Sequence, residues 1–358
     1  MNQRPYTVIL IIPTGIGAAI GGYAGDALPV ARAIASVADR LITHPNVLNG
    51  AQLYWSLPNG FYVEGYGLDK FAAGCWGLRP VHQNRIGLIL DRGIESDLRV
   101  RQLQAADAAR ATLGLNLTDY VITDAPLKVE LRTSASGASW GTIGNPDSLL
   151  RASEKLISTG AEAIAVVARF PDDIDSEALQ SYRYGQGVDP LAGAEAIISH
   201  LVVKTFQVPC AHSPALSPLP LDPDLSPRSA AEELGYTFLP SVLVGLSRAP
   251  QFVVGTTDAL SLPEDIWASQ VDAVVIPATA CGSSALLSLS SQSRVLIITV
   301  KENQTQMQVP PEPLGIKAFQ VNSYLEAIGV LVAHKAGINP AALSPNISSL
   351  HCLSTVNC

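Results

Sequence analysis

Three residues have the chemistry and placement of reacting groups. In "LITHPNVLNGA", His44 follows an apolar run on a proline-stiffened loop, where a histidine can take or give a proton near neutral pH, and Asn46 stands beside it. In "VDAVVIPATACGSSALL", Cys281 lies in a turn between an apolar run and a serine-rich helix start, where a helix N-terminus favours thiolate. The competing reading makes Ser283 the helix cap and Cys281 a small core residue. His212 in "PCAHSPA" is the third candidate. His44 would act as acid or base, with Cys281 or His212 as the second reactive group.

Ligand-holding groups surround these. "IPTGIGAAIGGYAGDALPVAR" follows an apolar run with glycines at 15, 17, 21, 22 and 25. Thr14, Gly15, Gly17, Gly21 and Gly22 are read as a cradle for phosphate or carboxylate, in front of a helix that begins at Asp26. Asp26 would cap that helix and orient a loop amide or a ligand hydroxyl. A nicotinamide loop fits poorly. Its helix would carry several glycines at about 1 kcal/mol each, and "RLIT" ends at His44 and not at the acid that holds a ribose. The alternative is that the glycines only allow close backbone packing. Asp189, Thr257, Asp258, Ser283 and Glu302 complete the ligand set as polar groups at strand or turn ends, with Glu64, Asp69, Glu195 and His200 in neighbouring polar stretches. A zinc reading of His200, Cys210 and His212 lacks paired spacing and a fourth ligand, so no metal is predicted.

The elements that must position these residues alternate. "TVILII", "RIGLILD", "YVITD", "AEAIAVVARF", "VDAVVIPA" and "RVLIITV" read as buried parallel strands. Helices are predicted over 26–39, 94–113, 146–159, 191–206, 263–270, 283–291 and 322–337. The fold class is α/β: mostly parallel sheets flanked by helices, in two packed lobes with a cleft at the strand carboxyl ends. Residues 1–135 form the N-terminal lobe and 136–358 the C-terminal lobe. "RTSASGASWGTIGN" (132–145) reads as a linker or active-site loop, and the proline-rich stretch 208–228 as an ordered excursion or a lid that is neither helix nor central strand.

The chain has 358 residues, 15% of them charged, and a net charge of −8 without basic runs, which excludes a non-specific nucleic-acid surface. Arg4 and the apolar residues after it resemble a secretory leader, but Pro13 and the glycines break the run, and no segment reaches the length of a membrane span. Five scattered cysteines fit a reducing cytoplasm. The expected partner is a small anionic metabolite, and self-association into a homo-oligomer is compatible with the composition. No cofactor is demanded.

"IPTGIGAAIGGYAGDALPVAR", "LITHPNVLNGA", "YVEGYGLD", "GLRPVHQNRIGLILD", "GVDPLAGAEAIISH" and "PCAHSPA" together resemble a family of unknown function found in photosynthetic bacteria and plastid-bearing organisms. The resemblance covers most of the chain and implies a setting without a mechanism. More locally, "VVIPATACGSS" is similar to the cysteine turn of cofactor-independent aspartate/glutamate racemases; the comparable turn "AVVARFPDD" has no cysteine. The expectation is an enzyme acting on a small anionic metabolite in the inter-lobe cleft. A non-catalytic sensor or assembly factor, or a racemase-like isomerase, is the alternative.

Overall fold

A computed structural model describes residues 4–51, 53–172, 176–255, 261–347 and 349–350. In chain order the strands are β1 (Thr7–Leu10), β2 (Arg40–Thr43), β3 (Gly60–Tyr62), β4 (Trp76–Arg79), β5 (Ile86–Leu90), β6 (Leu117–Ile122) and β7 (Val129–Thr133). They continue as β8 (Ser139–Ile143), β9 (Ala163–Arg169), β10 (Cys210–Ala215), β11 (Gln251–Val254), β12 (Val271–Pro277), β13 (Leu296–Val300) and β14 (Phe319–Val321). The runs richest in Val, Ile and Leu became the central strands, because only such segments can be covered by helices on both faces.

Six strands form one parallel sheet in the order β14-β13-β12-β1-β2-β3. The chain leaves β1 toward β3 and later restarts at β12 on the other flank, which is the order of a doubly wound sheet with its switch point between β1 and β12. The run that resembles a leader supplies its centre: β1 is wholly buried, with Ile9 opposite Val274 on one side and Ile42 on the other. A second parallel sheet, β10-β9-β5-β6, repeats the device with its switch between β5 and β9. One apolar core joins them, running from Leu10 and Leu41 through Leu243 to Leu88 and Ala165. The pairing does not follow a linear break at residue 135. The large sheet draws its strands from both chain ends, and the smaller one from the middle.

Several local expectations need correction. The stretch 132–145 is largely β-hairpin: β7 and β8 pair antiparallel, from Val129 opposite Ile143 to Thr133 opposite Ser139. Serine and glycine hid it, yet the glycines are what the packing needs. A Cβ on Gly141 would stand 2.4 Å from the Ala194 Cβ, on the helix Ala192–Phe206 lying against the hairpin. The proline-rich excursion opens as β10, an edge strand paired only with β9, where Pro214 is tolerated because the outer flank needs no ladder bond. Within the predicted helix 263–270 only the 3-10 turn Ala268–Gln270 forms.

Some helices escaped prediction. Leu239–Ser247 is largely apolar and buried at every position but Pro240, so it has no helical period to read. Gly65–Ala72 carries glycines at 65 and 67, and the side chain of Glu64 nucleates it by accepting from the amides of Tyr66 and Gly67. Glu177–Arg183 is short and capped by Ser176. Among the described residues no helix is long and apolar enough to cross a membrane.

Candidate functional site

A cavity of about 430 Å³ opens between the carboxyl ends of the two sheets. Its walls include Thr14 beyond β1, His44 beyond β2, Glu64 beyond β3, His212 on β10, and Glu195, Ser199 and His200 on the helix Ala192–Phe206. Tyr182 and Glu232, from the short helices Glu177–Arg183 and Ala230–Glu233, line it as well. Strand ends supply fixed positions, and the long excursions between strands supply the remaining walls.

His44 is held rather than poised. Its Nε2 accepts from the Ile12 amide at 3.1 Å, so the ring proton resides on Nδ1. Burial pushes its pKa down to about 4, so the imidazole is neutral at pH 7. The expected general acid or base is thereby corrected: with Nε2 occupied, His44 offers the cavity a neutral N–H donor.

A chain of polar groups runs along the Ala192–Phe206 helix. Glu195 Oε2 lies 3.6 Å from His212 Nε2, and His212 Nδ1 lies 3.3 Å from Ser199 Oγ. Ser199 Oγ reaches Glu64 Oε1 at 3.5 Å, and the same carboxylate oxygen pairs with His200 Nδ1. Burial opposes the protonation of His200, but the hydrogen bond and charge of Glu64 outweigh it and raise its pKa. Glu195 and Ser199 share one helix face because they stand four residues apart. The series acid, imidazole, hydroxyl, acid, imidazole can pass a proton along the wall.

The remaining wall is acidic. Asp189 Oδ1 accepts from the Leu191 amide at 2.8 Å, while Glu232 accepts from the Tyr182 hydroxyl and the Ala24 amide, each at 2.6 Å. Burial, then the charge of Glu195, pushes Asp189 up to about 7; burial, then Asp189, raises Glu232 well above the usual carboxyl range. Arg183, an arginine on the wall, is committed to Glu233 at 2.7 and 3.0 Å and to the Pro220 carbonyl.

The raised pKa of Asp189 has a measurable consequence for stability. Its folded-state value lies above the ordinary aspartate value of about 3.9, so the folded form holds the proton more tightly. The carboxyl is harmless below about pH 4 and destabilises progressively as the pH rises through its folded value of about 7. Asp189→Asn keeps the oxygen that accepts from Leu191. Allowing for the partial solvent exposure of this wall, it is expected to stabilise the fold by about 1–2 kcal/mol at pH 8 and to change little at pH 4, in urea titrations at both pH values.

Several amides of the glycine-rich loop are engaged within the protein, Gly21 among the proposed cradle residues. Ala19 donates to the Gln304 carbonyl, Ile20 to Asn303 Oδ1, Gly21 to Asp26 Oδ1, and Gly25 to the Asn46 carbonyl. A Cβ at Gly21 would meet Ile12 Cγ2 at 2.4 Å, so close packing is what that glycine permits. Gly15, Gly17, Gly21, Gly22 and Asp26 are not part of the cavity lining; Thr14 is. Asp26 does not cap the helix, which begins at Leu28 after Ala27. Its carboxylate is clasped by Gly21 and by Arg228 at 3.0 Å, and burial pushes it up to about 6.

Asn46, Asp189, His212 and Ser283 line the cavity, and Ser283 also caps its helix through Leu286. Glu302 accepts from the Tyr324 amide and lies off the cavity. Thr257 and Asp258 fall outside the described residues. Cys281 is wholly buried, with Sγ directed at the Pro277 and Ala278 carbonyls, and burial pushes its thiol up to about 11. That corrects the thiolate reading, and the racemase-like turn has no reactive sulfur at the cavity. Cys281→Ala is expected to cost about 1 kcal/mol in thermal unfolding and to leave cavity ligands bound as before. Among the described residues no group of three His, Cys, Asp or Glu side chains is gathered as a metal site requires. Sequence reasoning missed Ser199, Tyr182 and Glu232. Only Ser199 gave a signal, its spacing of four from Glu195.

The chain belongs to the family described as "protein of unknown function (DUF3326)", whose model matches residues 7–344. It is 61% identical over 345 residues to an uncharacterized lipoprotein of Synechococcus sp., covering 96% of this chain and 95% of that one.

Proposed function

We propose that the protein is an enzyme that moves protons on a small polar metabolite held in the cavity between the two sheets. The observation that carries this reading is the series Glu195, His212, Ser199, Glu64 and His200, joined by contacts of hydrogen-bond or ion-pair type at the cavity wall. His212 is the group that exchanges a proton with the bound molecule. Glu195 orients its ring, and Ser199 connects it to the carboxylate of Glu64, whose charge His200 balances. A neutral His44 donates to the ligand without changing its own protonation. The location at strand carboxyl ends and the cavity size both suit a small-molecule site.

The test is turnover of whichever host metabolite the cavity accepts. The purified chain is incubated with a small-molecule extract of its host and followed by mass spectrometry over time. A metabolite consumed by the wild type, and spared by His212→Gln, is the expected result. An extract unchanged by the wild type overturns the enzyme reading and leaves a ligand sensor. The word lipoprotein in the relative's name supports a membrane-anchored setting in place of the cytoplasmic one expected from the cysteines. Cell fractionation, with intact-mass detection of an acyl modification, decides between the two.

A further inference from the structure

We infer that the molecule this cavity accepts carries a cationic amine together with an oxygen acceptor. The inference rests on the cavity being a ligand site, as proposed above, and adds the chemical class.

Charge gives the first half of the argument. Asp189, Glu195 and Glu232 line the same cavity, and no lysine or arginine among the described residues pairs with any of them. Arg183, on the same wall, is occupied by Glu233 and the Pro220 carbonyl. Glu64 has His200 beside it and Glu195 has His212 at 3.6 Å, whereas Asp189 and Glu232 have neither a cation nor an imidazole among the described residues. Carboxylates gathered without a cation repel one another, and an ammonium group between them would remove that repulsion while donating to their free lone pairs. An anionic ligand would add to the repulsion.

The second half is independent of charge. His44 is only 9% exposed, lines the cavity, and spends Nε2 on the Ile12 amide. Its Nδ1–H has no acceptor among the described residues. That N–H is not shut away inside the protein, so a ligand oxygen in the cavity would replace water as its acceptor. Leu179, Leu216, Leu219 and Phe238 add apolar surface to the wall, enough to cover a short carbon skeleton between the two polar ends.

The test is binding, read without turnover. The full chain is screened by saturation-transfer NMR against two matched sets at millimolar concentration. One set holds the proteinogenic amino acids, their amides and the corresponding amino alcohols; the other holds the same compounds without the amine. Binding confined to the amine set, weakened at least tenfold in Asp189→Asn/Glu232→Gln and in Glu195→Gln, is the expected result, with thermal unfolding showing that each variant folds. Loss of preference for oxygen-bearing amines over simple alkylamines in His44→Phe checks the second contact. Hits among the amine-free acids, or no hits in either set, overturn the inference. Failure here is distinct from failure of the enzyme reading: an amine that binds but is never consumed sinks only the latter, and a consumed metabolite without an amine sinks only the former.

Discussion

His212→Gln is expected to lower turnover by about 10²–10⁴-fold while leaving substrate affinity within a few fold, because it removes the group that takes the proton and keeps a side chain of similar size at the wall. The imidazole lies between the Ser199 hydroxyl at 3.3 Å and the Glu195 carboxylate at 3.6 Å, so each neighbour fixes one ring nitrogen. Glutamine can still bridge these partners but cannot carry a proton near neutral pH. The loss therefore belongs in kcat and not in KM. Glu195→Gln keeps the hydrogen bond and weakens only the orientation and charge behind it, so its loss is expected to be smaller. Steady-state kinetics on the metabolite found in the extract experiment separates the cases. A larger loss in Glu195→Gln than in His212→Gln would mean that Glu195, and not His212, is the reacting group.

Gly193→Ala is expected to be the most disruptive of the small substitutions, destabilising the fold by about 3 kcal/mol and emptying the site of ligand. An added Cβ would stand 2.3 Å from Trp140 Cα and 2.4 Å from the Ser139 carbonyl oxygen. Both are backbone atoms of a paired strand and cannot rotate aside. The helix Ala192–Phe206 must then lift from the β7–β8 hairpin, and it carries Glu195, Ser199 and His200 with it. Gly74→Ala is the control. There φ is +73° and a Cβ meets nothing within 4 Å, so only the conformational penalty of about 1 kcal/mol is expected. Urea unfolding compares the two. Similar costs would show that the helix and hairpin are not in rigid contact.

Composition exposed the α/β framework because its signals are local. The runs that became β1, β5, β9, β12 and β13 are continuous apolar segments, and the helices 96–113, 146–158, 192–206 and 324–335 fall within or close to their predicted spans. What stayed hidden depended on distant partners. The hairpin β7–β8 needs glycines where a helix presses on it, and the Gly65–Ala72 helix exists because Glu64 caps it despite its glycines. The site was half legible. His212, Asp189 and Asn46 line the cavity, since polar residues at strand ends and helix starts are readable from order alone. From Thr14 to Gly25 composition alone does not separate a turn for an external anion from one that clasps the protein's own carboxylate, as Gly21 does with Asp26. Cys281 misled for a similar reason: a helix start favours thiolate only when the sulfur reaches solvent, and this one faces carbonyls.

The pairing of β1 with β12 dictates how this chain must come into being. Thr7 and its partner Asp272 are 265 residues apart. At the usual pace of synthesis, about 5–20 residues per second, the first strand waits on the order of tens of seconds for its neighbour to leave the ribosome. Meanwhile β5, β6, β9 and β10 are all available, so the smaller sheet can assemble first and serve as the platform on which both chain ends later converge. During that interval one apolar flank of β1 lies open to any complementary strand. A nascent chain halted before residue 271 should therefore be bound by chaperones through its first twelve residues, a dependence that the finished protein no longer shows.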